Sequence, residues 1–280
     1  MAVIRHQKRG TSFSEKALAP IVNIADRRSV RDALEPQRKT GIFVAVPSVT
    51  GKLHYSIAMT FARASASSHL PECPFNFTVH VEPGRRGIDF ARNLIVRTFL
   101  HDSDADWLLM IDDDQVVPEN FWQLCTVRDA DVVAGICPVW VANMDPEAML
   151  RVNNYGVDRD QRCYNLPMPD ESVQQPYRVP IAGTGAIAIR RRVFAPKPKG
   201  VGDTPFYFTH MPDRKVMGGE DVNFSVECNR AGFVIAIHPL VHFDHVKELP
   251  LGQIESYYRA RRKMEEAGKQ TTDLQRLSVG

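Results

Sequence analysis

Three aspartates, Asp112, Asp113 and Asp114, stand together directly after the apolar run WLLMI at 107–111. Adjacent carboxylates repel one another unless something cationic compensates. A hard divalent ion that also grips phosphate oxygens does so, using one or two protein carboxylates. The position suits this chemistry, because ligands of open α/β sheets bind beyond the carboxyl ends of the strands. An acidic turn capping the next helix would use the same residues, and both readings stay open on position alone. A second candidate is Glu220-Asp221, which follows Gly218-Gly219. Two glycines let the backbone come close to a ligand, and a carboxylate there can take a proton from an attacking hydroxyl. Acidic residues are also favoured in the first turn of any helix by its macrodipole. The third candidate is His238, His242 and His245 in HPLVHFDHV. Neutral imidazole ligates divalent metals, but alternation along an extended segment keeps all three from facing one ion. No HExxH spacing supports zinc hydrolysis.

These residues have to be positioned by strands and helices. GIFVAVPS (41–48) reads as a buried strand, and residues 52–68 follow with Leu53, Ile57, Phe61 and Ala64 at helical spacing. FNFTVHVE (75–82) alternates as a strand does. Residues 87–102 predict a helix with Ile88, Ala91, Ile95 and Phe99 on one stripe. DWLLMI (106–111) reads as the next buried strand, Pro118 as the start of a helix through PENFWQLCTV, and ADVVAGICPVW (130–140) as another strand. Residues 143–180 are rich in Asn, Asp, Pro and Gln and read as loops with a short hairpin. GTGAIAIRRRVF (183–194) restores a strand. Residues 220–232 read as a helix closed by Gly232, 233–239 as a late strand and 253–269 as a basic amphipathic helix. Strands alternating with helices imply an α/β domain, a mostly parallel mixed sheet flanked by helices.

The bulk properties narrow the class. The five cysteines are scattered, with no CxxC pair, so zinc ribbons and redox motifs are excluded. Cys125, Cys137 and Cys228 lie in apolar contexts and read as reduced core thiols of a cytoplasmic protein. No apolar run approaches the length of a transmembrane segment, and MAVIRHQKRG has no apolar central stretch of the secretory kind. Residues 1–40 hold nine Lys/Arg against four Asp/Glu, while the whole chain carries only +2. That segment reads as a basic extension, with attraction of an anionic acceptor as the alternative to simple solvation.

Taken in order, GIFVAVPS, FARN (90–93), LLMIDDDQVVPENF (108–121), AGTGAIAIRRRVF (182–194) and GGEDVNFSVECNRAGFVIAIHPLVHFDH (218–245) resemble the GT-A glycosyltransferases, family 2 above all. The resemblance covers about residues 41–247. It implies a basic extension at 1–40, a GT-A domain at 41–250 and a C-terminal helix and tail at 251–280. By it the triplet is the DXD motif, with Asp112 near the ribose or a metal-bound water, Asp113 beside the donor and Asp114 on the metal, Mn²⁺ or Mg²⁺. His245 matches a metal-contacting histidine, with His242 as fallback. Pro47, Ser48 and Glu82 would line the nucleotide pocket, Arg92 would contact the base, and Gly183 and Gly185 would lie beside the donor sugar. Glu220 and Asp221 match the ED motif, with Asp221 as the base of an inverting transfer. The implied donor is a UDP- or GDP-sugar, and the acceptor stays open among glycan, protein, lipid and nucleic acid. One departure from the family pattern leaves the base open. Only Glu82 precedes Pro83-Gly84, and Arg85-Arg86 follow. A sugar-1-phosphate nucleotidyltransferase is the rival enzyme class, although PSVTGK offers only one Gly and one Lys where that class resembles a Gly-rich basic loop. A binding module that lost the chemistry is the other rival.

Overall fold

In a computed structural model of the chain, the described residues are 38–49, 51–84, 87–140, 150–159, 163–210 and 216–246, with individual helical positions between 252 and 266. The 1–37 part of the expected extension and most of the expected terminal helix lie outside them.

The first strand, β1 (Thr40–Ser48), is apolar through its length and buried from Ile42 to Ser48. Such a run suits a central parallel strand covered on both faces. Helix α1 (Tyr55–Ser68) buries Ile57, Phe61 and Ala64 at the expected spacing, and the His54 ring caps it by accepting from the Ser56 N–H. Strand β2 (Phe75–Pro83) returns parallel to β1, pairing Pro47 with Glu82 and Ser48 with Pro83. Helix α2 (Ile88–Asp102) buries Ala91, Ile95 and Phe99, together with the charged Arg92. Strand β3 (Trp107–Ile111) is wholly buried and runs parallel to β1 on its other side.

Beyond β3 the chain forms the two-residue strand β4 (Gln115–Val116) and then a 3₁₀ helix at Phe121–Thr126, where a longer α-helix from Pro118 was expected. One local feature favours the tighter turn. The Thr126 hydroxyl donates to the Gln123 carbonyl at 2.7 Å, competing with helical backbone bonding. The expected strand at 130–140 is split into β5 (Val132–Ile136) and β6 (Pro138–Trp140). The chain changes sheets at Cys137, before a proline that has no N–H to continue the ladder.

Strands β7 (Leu150–Val157) and β8 (Cys163–Pro167) form the hairpin expected in the polar stretch, and β6 pairs with β7. Short strands β9 (Tyr177–Arg178) and β10 (Ile181–Ala182) lead to β11 (Ala186–Arg190), shorter than the expected 183–194 because residues 191–194 coil into a 3₁₀ turn. Strands β12 (Thr209–His210) and β13 (Val216–Gly218) pair ahead of α3 (Glu220–Arg230). That helix ends before Gly232, whose φ of +84° is the left-handed conformation that closes it. The late strand is β14 (Ile235–His242), followed by β15 (Asp244–His245).

The principal sheet has seven strands in the order β2-β1-β3-β11-β5-β14-β9. Neighbours β2–β1–β3 and β5–β14 are parallel, whereas β11 and β9 run antiparallel to theirs. The fold class is therefore the expected α/β one, a mixed sheet with flanking helices. Its antiparallel share exceeds what strand–helix alternation implied, because β11 enters the sheet from the β10 side with no crossover helix before it. All five cysteines are free thiols, and no described helix is long and apolar enough to cross a membrane.

Candidate active site

The carboxyl ends of β1, β2 and β3 lie side by side, and the start of antiparallel β11 joins them there, with Ala186 opposite Ile111. The Asp112 N–H donates to the Gly185 carbonyl at 2.9 Å. The aspartate triplet therefore begins where the sheet ends, held by the glycine segment from 183 to 185. Gly183 is a position of close approach, since a Cβ there would strike the Asn153 side chain and carbonyl. Gly185 is not, because a Cβ would meet only ordinary contacts, the nearest at 3.5 Å.

Each aspartate has a different partner. The buried Ser48 hydroxyl donates to Asp113 Oδ2 at 2.8 Å, which ties β1 to the triplet. Asp112 Oδ1 accepts from Arg92 Nη2 at 2.7 Å. The same guanidinium, only 3 % exposed, donates from Nη1 to Glu220 Oε1. Arg92 is thus a buried bridge between the end of β3 and the first residue of α3, and the Thr184 hydroxyl adds a contact to Glu220 Oε1 at 3.4 Å. Burial raises the Asp112 carboxyl above its ordinary value, against the pull of Arg92.

Asp114 Oδ2 lies 2.9 Å from His245 Nε2. Backbone pairing makes this contact: β15 runs antiparallel to β4, with His245 opposite Gln115, and the Val246 N–H donates to the Asp114 carbonyl at 2.9 Å. His245 Nδ1 faces the Pro138 carbonyl at 3.1 Å. With protons on both ring nitrogens the contact is an ion pair; with a proton on Nδ1 alone, Nε2 presents a lone pair beside the carboxylate, and in that form the two groups suit a divalent cation. Among the described residues no third His, Cys, Asp or Glu completes such a group. Two protein ligands would leave most of an ion's shell to phosphate oxygens and water. His242 is exposed, and its Nε2 meets the Pro239 carbonyl of its own strand at 2.6 Å, away from the triplet. Glu82 pairs with His80 at 3.2 Å.

Asp221 occupies the first turn of α3 beside Glu220. Its Oδ1 accepts from the Val222 N–H at 2.8 Å. A Cβ at position 219 would lie 2.6 Å from that oxygen, so a side chain there would push the Asp221 carboxylate from this position. Burial first, and the neighbouring Glu220 charge second, raise the Asp221 carboxyl above the ordinary range. The Val222 N–H, Arg92 and the Tyr155 hydroxyl oppose them.

Thr184 lies between the two glycines assigned to the donor sugar, whereas Tyr155 and Asn153 on β7 carried no sequence signal. Gln115 had one, its place directly after the triplet. It is 1 % exposed, and its Oε1 has no hydrogen-bond partner among the described residues.

No family model matches the chain, and no curated protein matches it. Many solved structures are similar to it, among them these three. The A197 protein from STIV is 15% identical with a TM-score of 0.45, covering 75% of this chain and 86% of its own. GalNAc-T7, in a structure with UDP, GalNAc and Mn²⁺, is 14% identical with a TM-score of 0.48, covering 77% of this chain; the chain spans 45% of its length. The catalytic domain of Drosophila beta1,4galactosyltransferase 7, in a complex with xylobiose, is 15% identical with a TM-score of 0.42, covering 75% of this chain and 71% of its own.

Proposed function

We propose that this chain is a glycosyltransferase of the GT-A kind, moving a sugar from a UDP- or GDP-sugar to an acceptor hydroxyl with inversion. The observation that carries the reading is the Asp114–His245 pair at the carboxyl end of β3, with Asp221 joined to the same cluster through Glu220, Arg92 and Asp112. Ser48 and Asp113 would hold the nucleoside end of the donor, and the glycines from 183 to 185 would let its sugar approach the backbone. A divalent ion between Asp114 and His245 would supply the positive charge that a leaving diphosphate requires.

The two acidic residues of α3 take different roles. Glu220 Oε1 already accepts from Arg92 and Thr184, so it orients. Asp221 is the base: it takes the acceptor's hydroxyl proton as the oxygen bonds to the anomeric carbon. The bond from that carbon to the diphosphate breaks, and the electron pair leaves with the phosphate. A positioned base of this kind contributes roughly 10²–10⁴-fold. Arg92, in this reading, holds the two halves of the site together and does not reach the base of the nucleotide.

Incubation with UDP- and GDP-sugars and Mn²⁺, with water or a panel of hydroxyl acceptors, tests the reading by NMR of the product's anomeric centre. Inverted product, with turnover in Asp221→Asn reduced by about 10²–10⁴-fold, is the expected result. Retained configuration, or normal turnover in that variant, contradicts it.

A further inference from the structure

The β7–β8 hairpin turns one face toward the first turn of α3. Side chains alternate along a strand, and directly opposed residues share a face. Asn153 and Tyr155 of β7 therefore lie on one face with Asn165 of β8, which is paired with Tyr155. The Tyr155 hydroxyl donates to Asn153 Oδ1 at 3.0 Å, and Asp221 lies close enough that its charge pushes the phenol up while the phenol pulls the Asp221 carboxyl down. Asn153 is pinned in turn. Its N–H donates to the Cys137 carbonyl at 2.9 Å, and Gly183 packs directly against it.

Tyr155 and Asp221 sit on elements that are clamped together. Strand β10 pairs with β7 through Ile181 and Tyr155. The next residue, Ala182, donates its N–H to Ser225 Oγ of α3 at 3.2 Å.

We propose that Tyr155 is a positioning residue for Asp221: its hydroxyl proton turns from Asn153 Oδ1 to the Asp221 carboxylate when that group is ionised, fixing its direction toward the acceptor. A charged acceptor makes the stronger hydrogen bond, which drives the turn. The Val222 N–H holds the carboxylate from the helix side and the phenol from the hairpin side, leaving a lone pair for the incoming hydroxyl. The inference rests on the reading of Asp221 as the base.

Four ionisable groups face Asp221. Glu220 of α3 disfavours its charge, Arg92 of α2 and Tyr155 of β7 favour it, and Cys163 of β8 stands near it, its thiol raised by partial desolvation first and by the Asp221 charge second. Tyr155 itself is pushed up by burial and by Asp221, so it acts as a proton-bearing donor across the working range of pH.

The test compares the full chain with Tyr155→Phe and with a chain carrying 3-fluorotyrosine at position 155, whose more acidic phenol is a stronger donor. One readout is the acid limb of turnover for donor transfer or hydrolysis. The other needs no activity: the pH at which the melting temperatures of the Asp221 and Asp221→Asn proteins diverge. In Tyr155→Phe both should move to higher pH, with kcat down about 10-fold and donor KM unchanged. The fluorotyrosine chain keeps the tyrosine shape and should move both to lower pH. Unmoved limbs and divergence points in both proteins would overturn the role of Tyr155. If the divergence point shifts as stated while no nucleotide-sugar is ever turned over, the glycosyltransferase reading fails and the Tyr155–Asp221 contact stands.

Discussion

Arg92 donates to Glu220 from 128 positions away in the chain, inside a site where its own side chain is 3 % exposed. One guanidinium from α2 thereby sets the distance between the end of β3 and the start of α3. The acidic pair of α3 cannot drift from the aspartate triplet while that bridge holds.

Removing one partner of a buried ionic network leaves the others as uncompensated charges, a cost of roughly 3–5 kcal/mol. Arg92→Ala is therefore expected to lower the unfolding free energy by about that much, measured by chemical denaturation. Arg92→Lys should recover only part of it, since a single ammonium cannot reach both carboxylates in fork geometry. Parent-like stability in Arg92→Ala would mean that the bridge contributes nothing.

Asp221 gives a pH signature. Its carboxyl is raised above the ordinary 3.8 by burial and by Glu220, so the folded chain holds this proton more tightly than the unfolded one. The contribution of Asp221 to stability therefore falls as pH rises from about 3.8 through the raised folded value. Asp221→Asn should melt higher than the parent at neutral pH, and the gap should close as both carboxyl forms become protonated in acid. A gap that is constant across pH, or reversed at neutral pH, would contradict the stated environment.

The glycine segment supplies a matched pair. Gly183→Ala drives a methyl into Asn153, and overpacking of this kind costs about 1–3 kcal/mol. Gly185→Ala meets only ordinary contacts, the nearest at 3.5 Å, and should be close to neutral. Thermal denaturation of the two variants checks this, and equal melting temperatures would count against the close approach of β7 to the site.

Much of this arrangement is legible in the sequence, for a local reason. Residues 41–111 write their strands and helices in apolar periodicity, and the triplet Asp112–Asp114 follows a strand that nothing else could be. Gly232 marks the end of α3 by the same kind of local rule. The rest depends on tertiary pairing. Spacing along an extended segment does not separate His242 from His245, and only the family resemblance puts His245 first; the pairing of β15 with β4 then sets His245 beside Asp114. Tyr155 lies in a hairpin whose polar residues give no apolar alternation to read. Arg92 reads as a ligand-contacting cation, because a sequence cannot say that two carboxylates of its own chain accept from its two terminal nitrogens. The helix expected from Pro118 became 3₁₀ over Phe121–Thr126, where the Thr126 hydroxyl bonds back to the Gln123 carbonyl.

The central claim is that Asp114 and His245 hold a cation through which a nucleotide-sugar binds, and calorimetric titration tests it most directly. UDP- and GDP-sugars are titrated into the protein with Mn²⁺, then with EDTA, and both titrations are repeated on Asp114→Ala. Binding of at least one donor with Mn²⁺ is expected to weaken by about 10-fold or more in EDTA, a change of about 1.4 kcal/mol, with no Mn²⁺ dependence in the variant. Equal donor affinity in Mn²⁺ and EDTA, or an undiminished Mn²⁺ effect in Asp114→Ala, would contradict it.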